Sequence, residues 1–222
     1  RTVEELRADG LERMIRELQP EIIINDRLPG HGDYETPEQF VPAKPPARAW
    51  ETCMTINHSW GYNPSDRNLK SSARLIHTIC ETAGRGGNLL LNVSPTADGT
   101  LPPEQVERLE AIAAWMGSNA ESIHDTEPGL EPWQFYGPST RRGNRVYLHL
   151  LMKPYDDVTV RGVPVKRVTG VRVLGHDAPL RWHSVSPIVD SLFNNPDPTG
   201  ELGIDIPAAA LREPATVIAV DF

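Results

Sequence analysis

The feature that most constrains the fold is a change of periodicity part-way along the chain. From Trp133 onward short apolar segments alternate with polar residues and are separated by Gly, Pro and Asp: "RVYLHLL", "VTVRG", "VTGVRVLG", "LRWHS", "LGIDI" and "ATVIAVDF". In the first of these, Val146, Leu148 and Leu150 share one face. Such spacing predicts antiparallel strands with one face turned to a core, the pattern of a β-sandwich. The segment "HDTEPGLEP", residues 124–132, precedes the change, so a boundary is expected near residue 128.

Before that boundary the grammar differs. Thr2 and Glu5 form a capping box that starts a helix over 2–18, where Val3, Leu6, Leu11, Met14, Ile15 and Leu18 give one inward face before Gln19–Pro20 ends it. The run "EIII" lacks alternation and predicts a strand buried on both faces, as in a parallel sheet. A second strand is expected over 49–56 and a helix over 68–83. A third strand follows in "GRGGNLLLNVSP", where Gly86 and Gly87 let the chain turn into it, and a last helix starts at Pro102–Pro103, residues tolerated in a first turn. This order is that of a (β/α) barrel or a doubly wound sheet. With about three core strands the first segment is not expected to fold alone, whereas the second could.

Composition narrows the function. A net charge of −8 with scattered basic residues disfavours a nucleic-acid surface and suits a neutral ligand. No apolar run approaches the roughly 18 residues of a membrane span, so no membrane partner is expected. Cys53 and Cys80 lie in different apolar segments and read as buried thiols rather than a disulfide. Arg1 is followed at once by a helix cap, which suggests an interior cut of a longer protein, so neither compartment nor oligomeric state can be read.

Individual residues are undecided on chemistry alone. Glu38 in "TPEQF" sits where a loop could aim a carboxyl across a pocket, though an isolated loop Glu is usually solvated structure. Arg27 follows the first strand and could donate to vicinal hydroxyls of a sugar, or merely pair with Asp26 or Asp33. Trp60 and Tyr62 in "SWGYN" could stack on a sugar's C–H face or simply pack. "GRGG" precedes its strand and lacks a following Lys–Ser/Thr, which argues against a phosphate loop. His31 and His58 lack metal-ligand spacing, and neither a metal nor a cofactor is expected.

Taken together, "INDR", "GDYETPEQF", "AWETCMTINHSWGYN" and "GRGGNLLLNVSPTADGTLPPEQVERLEAIAAWMGSNAESIH" resemble the second half of the catalytic domain of glycoside hydrolase family 29, the α-L-fucosidases, over about residues 2–126. The resemblance implies residues 1–127 as the C-terminal part of a (β/α) TIM-like catalytic barrel and residues 128–222 as a β-sandwich accessory domain. It implies retaining exo-hydrolysis of terminal α-L-fucose from a glycoconjugate through a covalent fucosyl-enzyme, with an Asp nucleophile and a Glu acid/base. Glu38 matches the acid/base, with Glu35 as the alternative. Arg27 matches the fucose-binding arginine and Trp60 the aromatic packed against the sugar. Tyr62, His31, His58 and both cysteines keep their structural readings. The family's nucleophile lies upstream of Arg1, so this chain by itself is expected to be inactive. The rival is a non-catalytic carbohydrate-binding or structural role for the β segment. Its aromatics are Trp133, Tyr136, Tyr147, Tyr155, Trp182 and Phe193, several at core positions, which favours a structural role.

Overall fold

The computed structural model describes residues 2–176, 178–189 and 194–222. Both halves of the capping box form: Thr2 N–H donates to Glu5 Oε2 at 2.9 Å and Glu5 N–H to Thr2 Oγ1 at 3.2 Å. The single helix expected over 2–18 is broken into α1 (Val3–Leu6) and α2 (Ala8–Leu18) because Arg7 adopts a left-handed backbone, φ 49°. Leu11, Met14 and Leu18 on α2 are exposed, so the face expected to pack inward is open to solvent among the described residues.

The isoleucine run is also less buried than its composition predicts. Ile24 is buried, but Ile23 is 72% exposed and the segment makes a single parallel bridge, Asn25 to Tyr34. Burial on both faces needs elements packed over both faces of the sheet, and among the described residues Ile23 has no such cover.

Four extended pieces nevertheless run parallel. Residues 24–26 lie beside 33–36, and residues 35–39 lie beside β1 (Glu51–Thr55). β1 pairs in parallel with β2 (Asn88–Asn92), from Glu51/Asn88 to Thr55/Asn92. The middle ladder is regular: Glu35 N–H donates to Ala49 O, Glu51 N–H to Glu35 O, Cys53 N–H to Pro37 O and Gln39 N–H to Cys53 O, all within 2.8–2.9 Å. Between β1 and β2 runs α3 (Ser72–Gly84), capped by Ser71 Oγ accepting from Arg74 N–H at 3.1 Å. After β2 comes α4 (Pro103–Asn119), with proline in its first turn as expected. Gly86 takes φ 73° at the turn into β2, and Gly87 lets the backbone approach the buried Trp50 ring.

The remainder is antiparallel. A five-stranded sheet has the order β3 (Glu127–Pro128), β4 (Ser139–Arg142), β5 (Arg145–Leu150), β10 (Thr216–Asp221), β7 (Gly170–Val173). A three-stranded sheet has the order β6 (Val158–Pro164), β9 (Thr199–Asp205), β8 (Arg181–Val185). Val146, Leu148 and Leu150 do share a face, and it packs with Val158, Val160, Leu202 and Ile204 from the smaller sheet. This is the expected sandwich core. Tyr147 and His149, on the other face of β5, are buried as well.

Helices explain that second buried face. Ile76 and Cys80 of α3 and Trp115 of α4 form one cluster with Tyr147, Leu174, Val217 and Ala219. Trp115 Nε1–H donates to Ala215 O at 2.9 Å, and His77 Nε2–H donates to Pro214 O at 2.8 Å. Both cysteines are free, and burial pushes the Cys80 thiol well above its usual range. Cys53 is only partly buried. Of the six aromatics weighed for a binding role, Tyr147 is core, Trp133, Tyr136, Tyr155 and Trp182 are exposed, and Phe193 lies outside the described residues.

Candidate active site

The carboxyl ends of the parallel pieces gather the expected residues. Asn25 Oδ1 accepts from Arg27 N–H at 3.1 Å, fixing the turn just past the first extended piece. The Arg27 guanidinium then spans the neighbouring piece: Nε donates to Thr36 Oγ1 at 2.9 Å, and Nη2 donates to Thr36 O at 3.3 Å and to Glu38 Oε2 at 2.7 Å. The Thr36 hydroxyl donates its own hydrogen bond to Asp26 Oδ1. Arg27 therefore pairs with neither Asp26 nor Asp33; Asp33 is taken by Arg16 at 2.8 Å and by Ile24 N–H at 2.8 Å. Those two bonds, the backbone one first, hold the Asp33 carboxyl below its ordinary range. The Glu38 carboxylate in turn raises the guanidinium of Arg27.

The two candidate acids are separated by this geometry. Glu38 lies level with Cys53 in the parallel ladder and meets Arg27, while Glu35 lies level with Trp50 and faces Arg48 at 3.5 Å. Glu38 and Arg27 are both partly exposed, at 42% and 57% of their side chains, so a ligand can reach the pair.

Trp60 is presented by the next loop, which leaves the end of β1. Its carbonyl accepts from Asn92 Nδ2–H at 2.9 Å, tying it to the last residue of β2, and the residue is 42% exposed. The loop is braced from inside. Asp66 accepts from Ser59 Oγ at 2.8 Å and from His58 and Asn68 N–H at 3.0 Å each, which hold its carboxyl low, the serine hydroxyl first. Lys70 Nζ donates to Thr55 O at 2.6 Å and Asn57 O at 3.2 Å, and burial pushes its ammonium below the usual lysine range. Trp60 makes no hydrogen bond to the Arg27–Glu38 pair; what they share is the same end of the parallel array, where α/β enzymes carry their chemistry.

The two loop histidines, His31 and His58, are held by contacts within the fold. His31 lies between Glu12 and Asp9, at 2.5 and 2.7 Å, and so ties the loop to α2; the backbone of His58 belongs to the Asp66 brace. Tyr62 is half exposed. Sequence reasoning missed Thr36 and Asn92. A threonine in a loop and an asparagine at a strand end carry no chemical signal until the partners they hold are known.

The sequence model of the family described as Alpha-L-fucosidase matches residues 3–121, more than half of the chain. The chain belongs to the alpha-L-fucosidase family. Arg27, Glu38 and Trp60 all fall within the matched residues. Alpha-L-fucosidase isoenzyme 1 from Paenibacillus thiaminolyticus superposes with a TM-score of 0.85 at 32% identity, over 99% of this chain and 54% of that one. Tissue alpha-L-fucosidase of Homo sapiens is 30% identical over 178 residues, covering 74% of this chain and 38% of the relative. Alpha-L-fucosidase of Dictyostelium discoideum is 33% identical over 160 residues, covering 65% of this chain and 34% of the relative. The chain thus spans between a third and about half the length of these members of the family. The structural likeness runs beyond the family match, through the antiparallel sheets.

Proposed function

We propose that residues 1–222 carry the acid/base half of a retaining α-L-fucosidase that removes terminal α-L-fucose from a glycoconjugate. In this reading residues 1–127 are part of a (β/α) barrel, residues 128–222 are an accessory β-sandwich, and the Asp nucleophile is supplied by chain outside these residues. The observation that carries the reading is the Arg27–Glu38 contact at 2.7 Å, placed at the carboxyl end of a parallel array within the family match.

A retaining glycosidase needs two carboxyl groups about 5–5.5 Å apart across the scissile bond. Glu38 protonates the departing oxygen, the second carboxylate attacks the anomeric carbon, and Glu38 then takes the proton from water as the fucosyl-enzyme is hydrolysed. Arg27 donates to the sugar's hydroxyls through its fork of N–H groups. Trp60 offers an aromatic surface to the C–H patch of the ring.

The test is Glu38→Ala in the full-length protein. General acid catalysis contributes about 10²–10⁴-fold, so fucosides with poor leaving groups should lose that much. Nitrophenyl fucosides should lose less, because their leaving group departs without a proton, and azide should restore turnover. An equal loss on all substrates, without azide rescue, refutes the role given to Glu38.

A further inference from the structure

The parallel array changes its bonding just past Glu38. Between residues 35–39 and β1 the backbone rungs follow in order, Glu51 N–H to Glu35 O, Cys53 N–H to Pro37 O and Gln39 N–H to Cys53 O, and the next in an evenly spaced parallel ladder is Thr55 N–H to Gln39 O. A side chain makes that rung instead. Gln39 adopts φ 67°, which takes its backbone out of the extended run, and Thr55 N–H donates at 3.4 Å to Gln39 Oε1. Gln39 Nε2–H donates to Thr55 Oγ1 at 3.1 Å, so the amide grips Thr55 at two points.

A left-handed backbone is unfavourable for a residue that is not glycine, asparagine or aspartate, and it persists only where surrounding contacts over-determine it. Gln39 is exposed, so burial of its own side chain does not impose the turn. Contacts to β1 do. Thr55 is fully buried, and on the far side of the turn Thr52 Oγ1 donates to Phe40 O at 2.7 Å. The grip also reaches the next loop, because Thr55 Oγ1 donates to Asn57 O and Lys70 Nζ donates to both Thr55 O and Asn57 O, at the stem of the loop that presents Trp60.

We propose that Gln39 is the positioning residue for Glu38. Its side-chain amide takes the rung that its own carbonyl has left, holds the left-handed turn immediately after Glu38, and so sets where that carboxyl leaves the array beside Arg27. The assignment rests on the reading of Glu38 as the acid/base. With the amide removed, the turn relaxes toward extended backbone, Thr55 N–H regains the Gln39 carbonyl, and the Glu38 carboxyl moves from its place.

The experiment uses the full-length protein with Gln39→Met, which keeps a side chain of similar length without the amide, and with Gln39→Gly, which accepts a left-handed backbone at no steric cost. Each is measured with and without Glu38→Ala, on a nitrophenyl α-L-fucoside and on an alkyl α-L-fucoside, whose leaving group needs a proton to depart. A misplacement of about 1 Å costs about 10²-fold, so each single variant should lose about tenfold or more in kcat on the alkyl fucoside relative to the nitrophenyl one, with KM little changed. In the Glu38→Ala background that difference should vanish, because no acid is left to misplace. A merely structural role lowers both substrates alike, and Gln39→Gly remains informative if Gln39→Met fails to fold. Equal losses on the two substrates, no loss, or a difference that survives in Glu38→Ala overturn the role of Gln39, and the acid assignment then stands on the leaving-group dependence of Glu38→Ala alone. Equal losses in Glu38→Ala itself overturn both.

Discussion

His149 should make the antiparallel region acid-labile in a way that can be measured. It is fully buried on β5, facing the helices. Thr140 Oγ1 donates to Ser122 O at 2.6 Å, so toward His149 Nε2, at 3.2 Å, it can only accept. That fixes the neutral tautomer with its proton on Nε2, and the Nδ1 lone pair is left without a partner. Burial alone pushes the imidazole down from 6.5 to about 3. The native state therefore stays neutral where the unfolded chain takes a proton, so the unfolded state binds more protons and stability falls as pH falls. The contribution is full above the unfolded value of 6.5, declines as pH drops below it, and levels off near 3. At pH 5 the loss relative to neutral pH is RT ln(1 + 10^1.5), about 2 kcal/mol, set by the unfolded value alone. That is a large part of a typical margin of about 5–15 kcal/mol. The assay is urea unfolding at pH 7.5 and pH 5 for the wild type and for His149→Met, which removes the titrating group and keeps the site apolar. The variant should lose about 2 kcal/mol less between the two pH values, and the other histidines, common to both proteins, cancel. Identical losses in the two proteins refute the argument.

Gly87→Ala should destabilise by about 1–3 kcal/mol in the same unfolding assay, because a Cβ there would fall 2.3 Å from the Trp50 ring, which is 3% exposed. The 222-residue polypeptide without further chain should not turn over a nitrophenyl fucoside above background, since Glu38 has no second carboxylate to work with in the proposed mechanism; turnover by this polypeptide would contradict the placement of the nucleophile outside it.

What could be read from the sequence was what depends on near neighbours. The capping box, the proline-started helix and the alternation in β5 each follow from residues within a turn or a strand of one another, and all three form. The helix expected over 68–83 begins at Ser72 instead, because Asp66 and Lys70 use the preceding residues to brace the loop. The break at Arg7 had no signal, since a left-handed arginine is neither glycine nor asparagine. Burial was misjudged wherever it depends on distant chain: Ile23 and Leu90 look like core in sequence and are 72% and 51% exposed. The second buried face of β5 was likewise invisible, because it is covered by helices far away in sequence.

The Arg27–Glu38 contact shows why residue type and local spacing could nominate these two residues but not place them together. They are separated by a loop, and their meeting depends on Thr36 and on the register that sets Glu38 beside Cys53. The contact also constrains the proposed mechanism. Arg27 Nη2 already donates to Glu38 Oε2 at 2.7 Å, and in the proposed reading both groups must also meet the substrate. The sugar hydroxyls assigned to Arg27 are acceptors that compete with Glu38 for its N–H groups. Binding of fucose would then release Glu38 from its ion pair as well as position the bond to be broken. In that arrangement the proposed sugar-binding residue also frees the carboxyl proposed to face the departing oxygen, which couples the two roles to occupancy of the site by substrate.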